Sequence, residues 1–349
     1  MIDRYALRGR SAAIGFLGLA ILLGLTGCTT IRVNLGMRTH IDKLQIASMA
    51  VELPGNPAIA PGESSPMVAT FIDKNGKQWV TEGKGKGKIL WSDLAVTTTL
   101  VTVNKKGVLR LAHDARKSDG KTGEVQIAVP SHPDLHASLA VPVRYDYPFV
   151  ANFNGANGSD GTDGMNGTDG SAGSSGSTGS CGTDNNVAGG NGGDGGNGTD
   201  GGNGGDGGNG GDAPDVKVLI ALRAGDHPLL QAVVSAQGHK DRHYLIDPQG
   251  GSLTIQANGG AGGSGGRGGK GGSGGSGGSG GFGCPSGSDG NRGHDGNDGM
   301  AGSDGSYGRA GRITVVYDPA VQPYLAAIKT SNKGAPAPDF QQAPVAPLW

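Results

Sequence analysis

The chain has 349 residues, of which 71 are glycine and only 5% are aromatic. Glycine makes up about 7% of an average protein, so this composition excludes an ordinary enzyme core running through the whole chain. The formal net charge of -1 provides no basic field that would attract nucleic acid, and we expect no nucleic-acid partner.

Residues 1–27 have the features of an export signal. Three arginines precede an uncharged, largely apolar run from Ala12 to Leu25, which is short for a helix that crosses a bilayer. The run ends in Leu-Thr-Gly-Cys, with the cysteine at position 28, and this motif resembles the lipobox of bacterial lipoproteins. We therefore predict a signal peptide over residues 1–27 and a lipid-anchored linker over residues 28–40.

The lipobox resemblance carries further implications. It implies that a signal peptidase cuts before Cys28 and that the Cys28 sulfur carries a diacylglycerol. Thr29, in place of aspartate, implies sorting to the outer membrane, on its periplasmic or its cell-surface face. Acyl chains contribute about 0.8 kcal/mol per buried methylene, so the protein would contact the membrane through its lipid without a membrane-spanning helix.

Residues 41–150 are predicted to form a β-sandwich. Short alternating or β-branched runs lie between turn residues, at a spacing typical of that fold. The Pro-Gly turn at residues 61–64 and the strand with an Asn-Gly turn at residues 69–76 resemble bacterial immunoglobulin-like domains, which implies a spacer that lifts the rest of the chain away from the lipid. The predicted strands cover residues 46–53, 67–72, 94–103, 108–112, 124–129 and 138–145.

Two glycine-rich regions, 155–211 and 259–311, follow a period of three. The first begins as Gly-Xaa-Xaa and tightens to Gly-Gly-Xaa, with one exception at Thr199; the second has the same two textures in reverse order. Three residues per turn is the period of the polyproline-II helix, which has no hydrogen bonds within the strand. Each backbone amide therefore needs a partner on a neighbouring segment or in water.

These regions resemble the polyglycine-II bundles of glycine-rich snow-flea antifreeze proteins and of some phage tail-fibre tips. The resemblance implies a bundle in which Gly-Gly-Xaa segments, with two glycine ridges, lie inside and Gly-Xaa-Xaa segments lie outside. Collagen is a second resemblance, although the tracts contain a single proline, Pro285, and an extra glycine. A disordered glycine-rich linker is the remaining alternative.

Cys181 and Cys284 lie beside the two interruptions at which the repeat changes between Gly-Xaa-Xaa and Gly-Gly-Xaa. A disulfide is the natural state of such a pair in an exported protein. If each region folds back at its break, four passes run up and down, and the two cysteines meet at one tip. The fold class is then all-β plus a four-pass polyglycine-II rod. We predict a small β domain from residues 212–258 with 312–318, and an irregular tail over 333–349.

The function predicted from these features is structural or adhesive and non-enzymatic, on the surface of the outer membrane. Loops at the tip of such a rod are expected to present an unidentified surface ligand site. The candidate tip residues are Thr183, Asp184, Asn185, Asn186, Val187, Phe282 and Pro285.

Metal and phosphate contacts are weaker alternatives. His239, Asp241 and His243 have the spacing that would place them on one face of a strand as metal ligands. The aspartates of the first glycine region resemble calcium-binding nonapeptide repeats, but the repeat here is three and lacks the apolar position of that family. We predict no cofactor, with a calcium-binding repeat protein as the alternative.

A run of Lys84, Lys86 and Lys88 alternating with glycine is typical of a mobile loop, with membrane phosphate as an alternative contact.

Overall fold

The computed structural model describes residues 37–349 except residues 224 and 226. The predicted signal peptide and Cys28 lie outside this range. Strands make up 32% of the chain and helices 7%, which confirms the all-β class. In the described part of the chain, no helix combines the length and the apolar character that crossing a membrane requires.

The first β unit contains nine strands in three antiparallel sheets, with strand orders β1-β3-β4, β2-β7-β6 and β5-β8-β9. They share one core that includes Phe71, Trp91, Leu109 and Ile127. β8 shows why the sequence folds this way, because its side chains alternate strictly between buried and exposed. The strands are β1 (Ile46–Glu52), β2 (Ser64–Pro66), β3 (Val68–Asp73), β4 (Gln78–Val80), β5 (Ala95–Thr99), β6 (Val101–Val103), β7 (Val108–Leu111), β8 (Gly123–Val129) and β9 (His132–Val141).

Short helices connect these strands. They are the 3-10 turns Ile41–Lys43, Gly83–Gly85 and Trp91–Asp93 and the helix α1 (Ala115–Ser118). The predicted strand over residues 94–103 is divided in two, because Leu100 adopts a positive φ of 64° between β5 and β6.

The second β unit contains two sheets that share one core. A parallel three-stranded sheet has the order β10-β14-β16, and a five-stranded sheet has the order β13-β12-β11-β15-β17. A 3-10 helix, Pro319–Ala327, precedes β16. The strands are β10 (Pro148–Asn152), β11 (Val216–Arg223), β12 (Leu229–Ala236), β13 (Arg242–Ile246), β14 (Ser252–Gln256), β15 (Ile313–Tyr317), β16 (Ile328–Ser331) and β17 (Asp339–Gln342).

The second unit differs from the predicted small β domain in three ways. β10 pairs with β14 and not with the first unit. β15 pairs with β11, but residues 252–256, also within the predicted domain, lie in the opposite sheet as β14. The tail over residues 333–349 is not wholly irregular, since β17 covers the open edge of β15. Unpaired strand edges expose backbone groups, and these additions cover them.

The glycine-rich regions form four extended segments, which we name S1 (155–182), S2 (189–211), S3 (259–283) and S4 (287–311). S1 and S2 are antiparallel: the Gly190 N–H donates to Ser177, and the pairing ends with the Gly211 N–H on Ala156. The same antiparallel pattern joins S2 to S3 and S3 to S4, with one backbone bond every third residue. S1 and S3 run parallel, as do S2 and S4.

The two Gly-Gly-Xaa segments occupy the centre. S2 and S3 each bond to the other three segments, whereas S1 and S4 each bond to S2 and S3. A Cβ atom on Gly201 would overlap the carbonyl oxygen of Gly269, and one on Gly266 would overlap that of Thr162. Only glycine lets backbones approach this closely, so these positions of the inner segments require glycine.

The strands of the second β unit set the register of the segments. β10 pairs with β14 at an offset of 104 residues, as in Pro148 with Ser252. The same offset continues into S1 and S3, where the Ser264 N–H donates to Asp160. β11 and β15 pair at an offset of 97, which continues as the bond from the Asn291 N–H to Asp194. Each layer of segments therefore extends one sheet of the β unit.

Candidate functional site

A disulfide closes the end of the four segments that is far from the β units. We call this end, residues 180–188 and 282–286, the tip. Cys181 and Cys284 are bonded, with Cα atoms 5.2 Å apart, so the predicted pair is present. Their separation of 103 residues is within one residue of the S1 to S3 offset. The disulfide therefore joins positions that the register already brings together.

Hydrogen bonds hold both loops of the tip to the segments. Ser180 and Val187 exchange two backbone bonds of 3.0 and 2.8 Å, which close the loop between S1 and S2. The Cys284 N–H donates to the Val187 carbonyl at 3.1 Å, and the Gly189 N–H donates to the Pro285 carbonyl at 2.9 Å. The loops from the two glycine-rich regions are thus joined into one surface.

That surface exposes both apolar and polar residues. Val187 is 50% exposed and Phe282 is 66% exposed, although both are large hydrophobic side chains. Pro285 and residues 183–186 are also exposed. Exposed apolar groups clustered at one end of a molecule are typical of an interaction site.

A ladder of side-chain acceptors, which the sequence analysis missed, runs along the segments. In S1 and S2 the residue before each glycine or glycine pair is mostly asparagine or aspartate, and its Oδ1 atom accepts a backbone N–H of the adjacent segment. S1 and the preceding Asn154 accept six such bonds from S3 and the preceding Asn258, at Asn154, Asn157, Asp160, Asp163, Asn166 and Asp169. S2 and its extension to Asp215 supply nine to S4 and Arg312, from Asn191, Asp194, Asn197, Asp200, Asn203, Asp206, Asn209, Asp212 and Asp215.

S4 adds four bonds of the same kind, from aspartates to glycine amides of S3. The repeated position of asparagine and aspartate before glycine was visible in the sequence and was the available signal. Both residue types offer the same acceptor oxygen, so either can occupy these positions in S2. The ladder accounts for these aspartates without calcium, and calcium binding stays an untested alternative.

Thr199, the single exception in the Gly-Gly-Xaa repeat, has a specific partner. Its Oγ1 atom accepts the backbone N–H of Thr168 at 2.7 Å and lies 3.1 Å from the Thr168 hydroxyl. Thr199 stands where the other triplets of S2 have their second glycine. Its side chain therefore supplies S1 with a hydrogen-bond acceptor that those glycines lack. The exception is compatible with the bundle.

Asp212 combines its place in the ladder with an ion pair. It accepts the Arg309 backbone N–H at 2.7 Å and pairs with the Arg309 guanidinium at 2.9 Å. The backbone bond, followed by the side-chain bond, lowers the pKa of Asp212 below its ordinary value. This pair marks the point where S2 and S4 enter the β unit.

The candidate metal ligands His239, Asp241 and His243, the weaker alternative of the sequence analysis, do not share a strand face. β13 begins only at Arg242, because the chain turns over residues 237–241 after β12. The His239 ring packs edge-on against Phe153, with centroids 5.2 Å apart. The described residues contain no cluster of three or more side chains suited to a metal ion.

His243 lies at the junction of the two β units. Its ring is 5.7 Å from the Trp349 ring. Burial lowers the pKa of His243, and the nearby Arg116 acts in the same direction. Asp119 of the first unit accepts the Trp349 indole N–H at 3.2 Å and also pairs with Arg223 of β11.

The buried Gln231 holds the same stretch of chain from the other side. Its side chain accepts the Leu348 N–H at 3.1 Å and donates to the Trp349 carbonyl at 3.0 Å. Residues 348–349 therefore link the second unit to Asp119 of the first unit. These contacts explain the polar side chains at the junction as structural ones.

Comparisons with known proteins provide no relative: no protein-family model, curated protein or solved structure matches the chain. Function is therefore argued from the residues themselves.

Proposed function

We propose that this chain is a lipid-anchored protein of the outer-membrane surface that uses a polyglycine-II bundle as a rod to hold the tip away from the membrane, in an adhesive or structural and non-enzymatic role. One observation carries the proposal: backbone bonds recur every third residue without a break from the strands of the β unit to the disulfide.

Support for the rod comes from the geometry of its bonds. A three-residue period, bonds only between segments and glycine at each close approach are the properties of packed polyglycine-II strands. At about 3.1 Å per residue, S1 would extend roughly 85 Å. Bonds to three neighbours on the inner segments would make the rod stiff along its length, as a presenting element requires.

Support for the anchor comes from the sequence. The lipobox-like motif ending at Cys28 would attach the chain to lipid, and the first β unit, which resembles an immunoglobulin-like domain, would act as a spacer. Mass spectrometry of the protein extracted from membranes tests this directly. The expected result is a chain that begins at Cys28 and carries diacylglycerol, and an intact, unmodified amino terminus would contradict the anchor.

Support for ligand presentation comes from the tip. We propose that Val187 and Phe282, with Pro285, contact the partner, because they are exposed apolar groups fixed in place by the disulfide and the loop bonds. Residues 183–186 would form the polar rim.

The test compares two double variants on cells that display the protein. Val187→Ser with Phe282→Ser removes the two large apolar side chains of the tip, whereas Met165→Ser with Met300→Ser removes two even more exposed apolar side chains from the side of the rod. We expect the tip variant to reduce adhesion of cells to one another or to polystyrene by about tenfold, since buried aromatic contacts dominate binding. Equal adhesion by both variants and the wild type would discard the tip as the binding site.

A further inference from the structure

We propose that a basic patch on the first β unit, formed by Lys84, Lys86, Lys105 and Lys106, docks on the surface of a bilayer that contains anionic phospholipid. The inference rests on the proposed lipid anchor, and it adds the surface with which the folded protein meets the membrane.

Two neighbouring turns create the patch. Lys84 and Lys86 lie in and after the 3-10 turn Gly83–Gly85, and Lys105 and Lys106 lie in the turn between β6 and β7. The turns are adjacent, because a Cβ atom on Gly83 would lie 3.7 Å from the Lys106 carbonyl oxygen. All four lysines are exposed.

The positive charge of the patch is not cancelled locally. Glu82, the acidic residue beside it, is paired with Arg38 at 3.0 Å, and the Asp93 carboxylate is hydrogen-bonded to the His40 ring and to the Ile41 N–H. None of the four ammonium groups forms an ion pair within the described part of the chain. Four like charges on adjacent turns therefore face solvent together.

The patch lies where the chain would arrive from the membrane. The Thr39 N–H donates to the Lys88 carbonyl at 2.9 Å, and Arg38 binds Glu82, so residues 38–39 run alongside the lysine-rich turn. Eight residues separate Cys28 from Met37. Even fully extended, they span about 30 Å, which limits the distance between a lipid at Cys28 and the patch.

The patch also faces away from the rest of the molecule. The turn that carries Lys105 and Lys106 precedes β7, whereas His113 and Asp114, which follow β7, lie beside residues 241–244 of the second unit. The lysines are thus at the opposite end of β7 from the second unit. This places membrane, first unit, second unit and tip in one order, which agrees with a rod that points outward.

Phospholipid headgroup phosphates are the partner that this chemistry fits. A lysine close to an anionic bilayer strengthens binding by roughly fivefold. Four lysines should therefore raise the affinity for the bilayer by at least about tenfold, even if their contributions are only partly additive. The attraction acts within about one Debye length and is screened by salt. The short tether holds the lysines near this range and reduces the entropy cost of docking.

The test uses the full lipidated chain in vesicles of phosphatidylcholine alone or with about 30% phosphatidylglycerol at low salt. Acetylation of each lysine is followed by mass spectrometry. We expect the four patch lysines to react about tenfold more slowly on the anionic vesicles. Lys217, Lys240, Lys329 and Lys333 on the second unit are the internal controls and should react at equal rates on both. Raising the salt to about 0.5 M should remove the difference.

A second arm separates the patch from the anchor. Cys28→Ser removes the site of lipidation, and flotation with phosphatidylcholine vesicles should then be lost while flotation with anionic vesicles is retained in part. Changing the four patch lysines to Gln in this background should abolish the remaining flotation, and changing the four control lysines to Gln should not.

The outcomes are distinguishable. If the wild type and Cys28→Ser float equally with phosphatidylcholine vesicles, the lipid anchor is wrong and the patch is judged on the anionic vesicles alone. If the patch lysines react at the same rate on both vesicle types, the membrane-docking surface is overturned whatever the state of Cys28.

Discussion

The two glycines of each Gly-Gly-Xaa triplet in S2 have different surroundings. A Cβ atom on Gly201 would overlap the Gly269 carbonyl oxygen, whereas one on Gly202 would lie 3.2 Å from the Met165 nitrogen. Thr199 occupies the same row as Gly202, and its side chain is accommodated with two hydrogen bonds. The first glycine is therefore required by packing, and the second tolerates a small side chain.

This difference predicts opposite outcomes for adjacent substitutions. Gly201→Ala should lower the free energy of unfolding by about 1–3 kcal/mol, because the methyl group forces S2 and S3 apart. Gly202→Ala should change it by less than about 1 kcal/mol, since lower chain entropy in the unfolded state offsets a small contact shift. Thermal unfolding followed by circular dichroism measures both, and equal destabilisation by the two variants would show that S2 and S3 are not packed in this register.

The acceptor ladder gives a second prediction. The Asp206 Oδ1 atom accepts the Ser303 N–H at 2.7 Å. Asp206→Asn keeps the oxygen and should leave stability nearly unchanged, whereas Asp206→Ala removes it and should cost about 0.5–1.5 kcal/mol. Denaturant titration of the two variants provides the comparison. A larger loss for the asparagine variant would mean that charge, and not the hydrogen bond, selects aspartate there.

The junction histidine predicts a pH dependence of stability. Burial holds the pKa of His243 below the ordinary value of 6.5. On acidification the unfolded chain therefore binds this proton first, so the stabilisation present above pH 6.5 is lost as pH falls through 6.5 toward the lower folded-state pKa. His243→Gln should make the melting temperature less sensitive between about pH 7 and pH 5. An unchanged pH profile would show that His243 does not contribute.

At this scale the sequence indicated some residues and missed others. Period-three glycine and the paired cysteines could be read directly, because each reflects a strict geometric requirement. The acceptor role of Asn and Asp, and the partner of Thr199, could not be assigned, because both depend on which segment lies alongside and at what offset. His239, Asp241 and His243 were predicted on one strand because period-two spacing does not reveal a turn before Arg242.

At the level of elements, the strands of the second β unit continue directly into the glycine segments and so determine how those segments align. β10 leads into S1 and β14 into S3 at the same offset, so the β unit fixes the register before the repeats begin. A pure triplet repeat could slip by three residues with little penalty, since each triplet resembles the next. The side-specific strand pairs of the β unit prevent that slip.

The disulfide fixes the other end, which predicts a graded response to its removal. Cys181→Ser with Cys284→Ser should lower the free energy of unfolding by about 2–5 kcal/mol, as expected for closure of a long loop. Because the β unit still holds the base, amide exchange in the native state should increase most near residues 179–189 and least near residues 155 and 211. Uniform loss of protection along the segments would indicate that the disulfide, and not the β unit, sets the register.

The sequence predicted elements better where partners are local. β1, β3, β7 and β8 of the first unit lie close to their predicted positions, since alternation and turn residues define them, whereas the short strands β2 and β4 were not predicted and β9 begins six residues before its predicted start. β10 and the edge strand β17 were not predicted, because both pair with strands far along the chain, and residues 148–150 were assigned to the first unit. Local patterning carries no information on such partners.

For the molecule as a whole, the structure arranges three parts with different physical bases. The two β units are held by apolar cores, and the glycine segments are held by backbone and side-chain hydrogen bonds, because they contain almost no apolar side chains to bury. Stability of the rod therefore depends on the β unit and the disulfide at its two ends. This division agrees with the proposed roles of spacer, rod and tip.

Amide exchange resolved by residue tests the bonded rod most directly. Between residues 155 and 179 the glycine amides at every third position donate to S3, whereas in the described structure the intervening amides donate no bond apart from that of Thr168. We predict slow exchange at Gly158, Gly161 and each third residue onward, with fast exchange between them. Exchange at the rate of an unfolded chain at all these positions, or protection without the three-residue period, would contradict the rod.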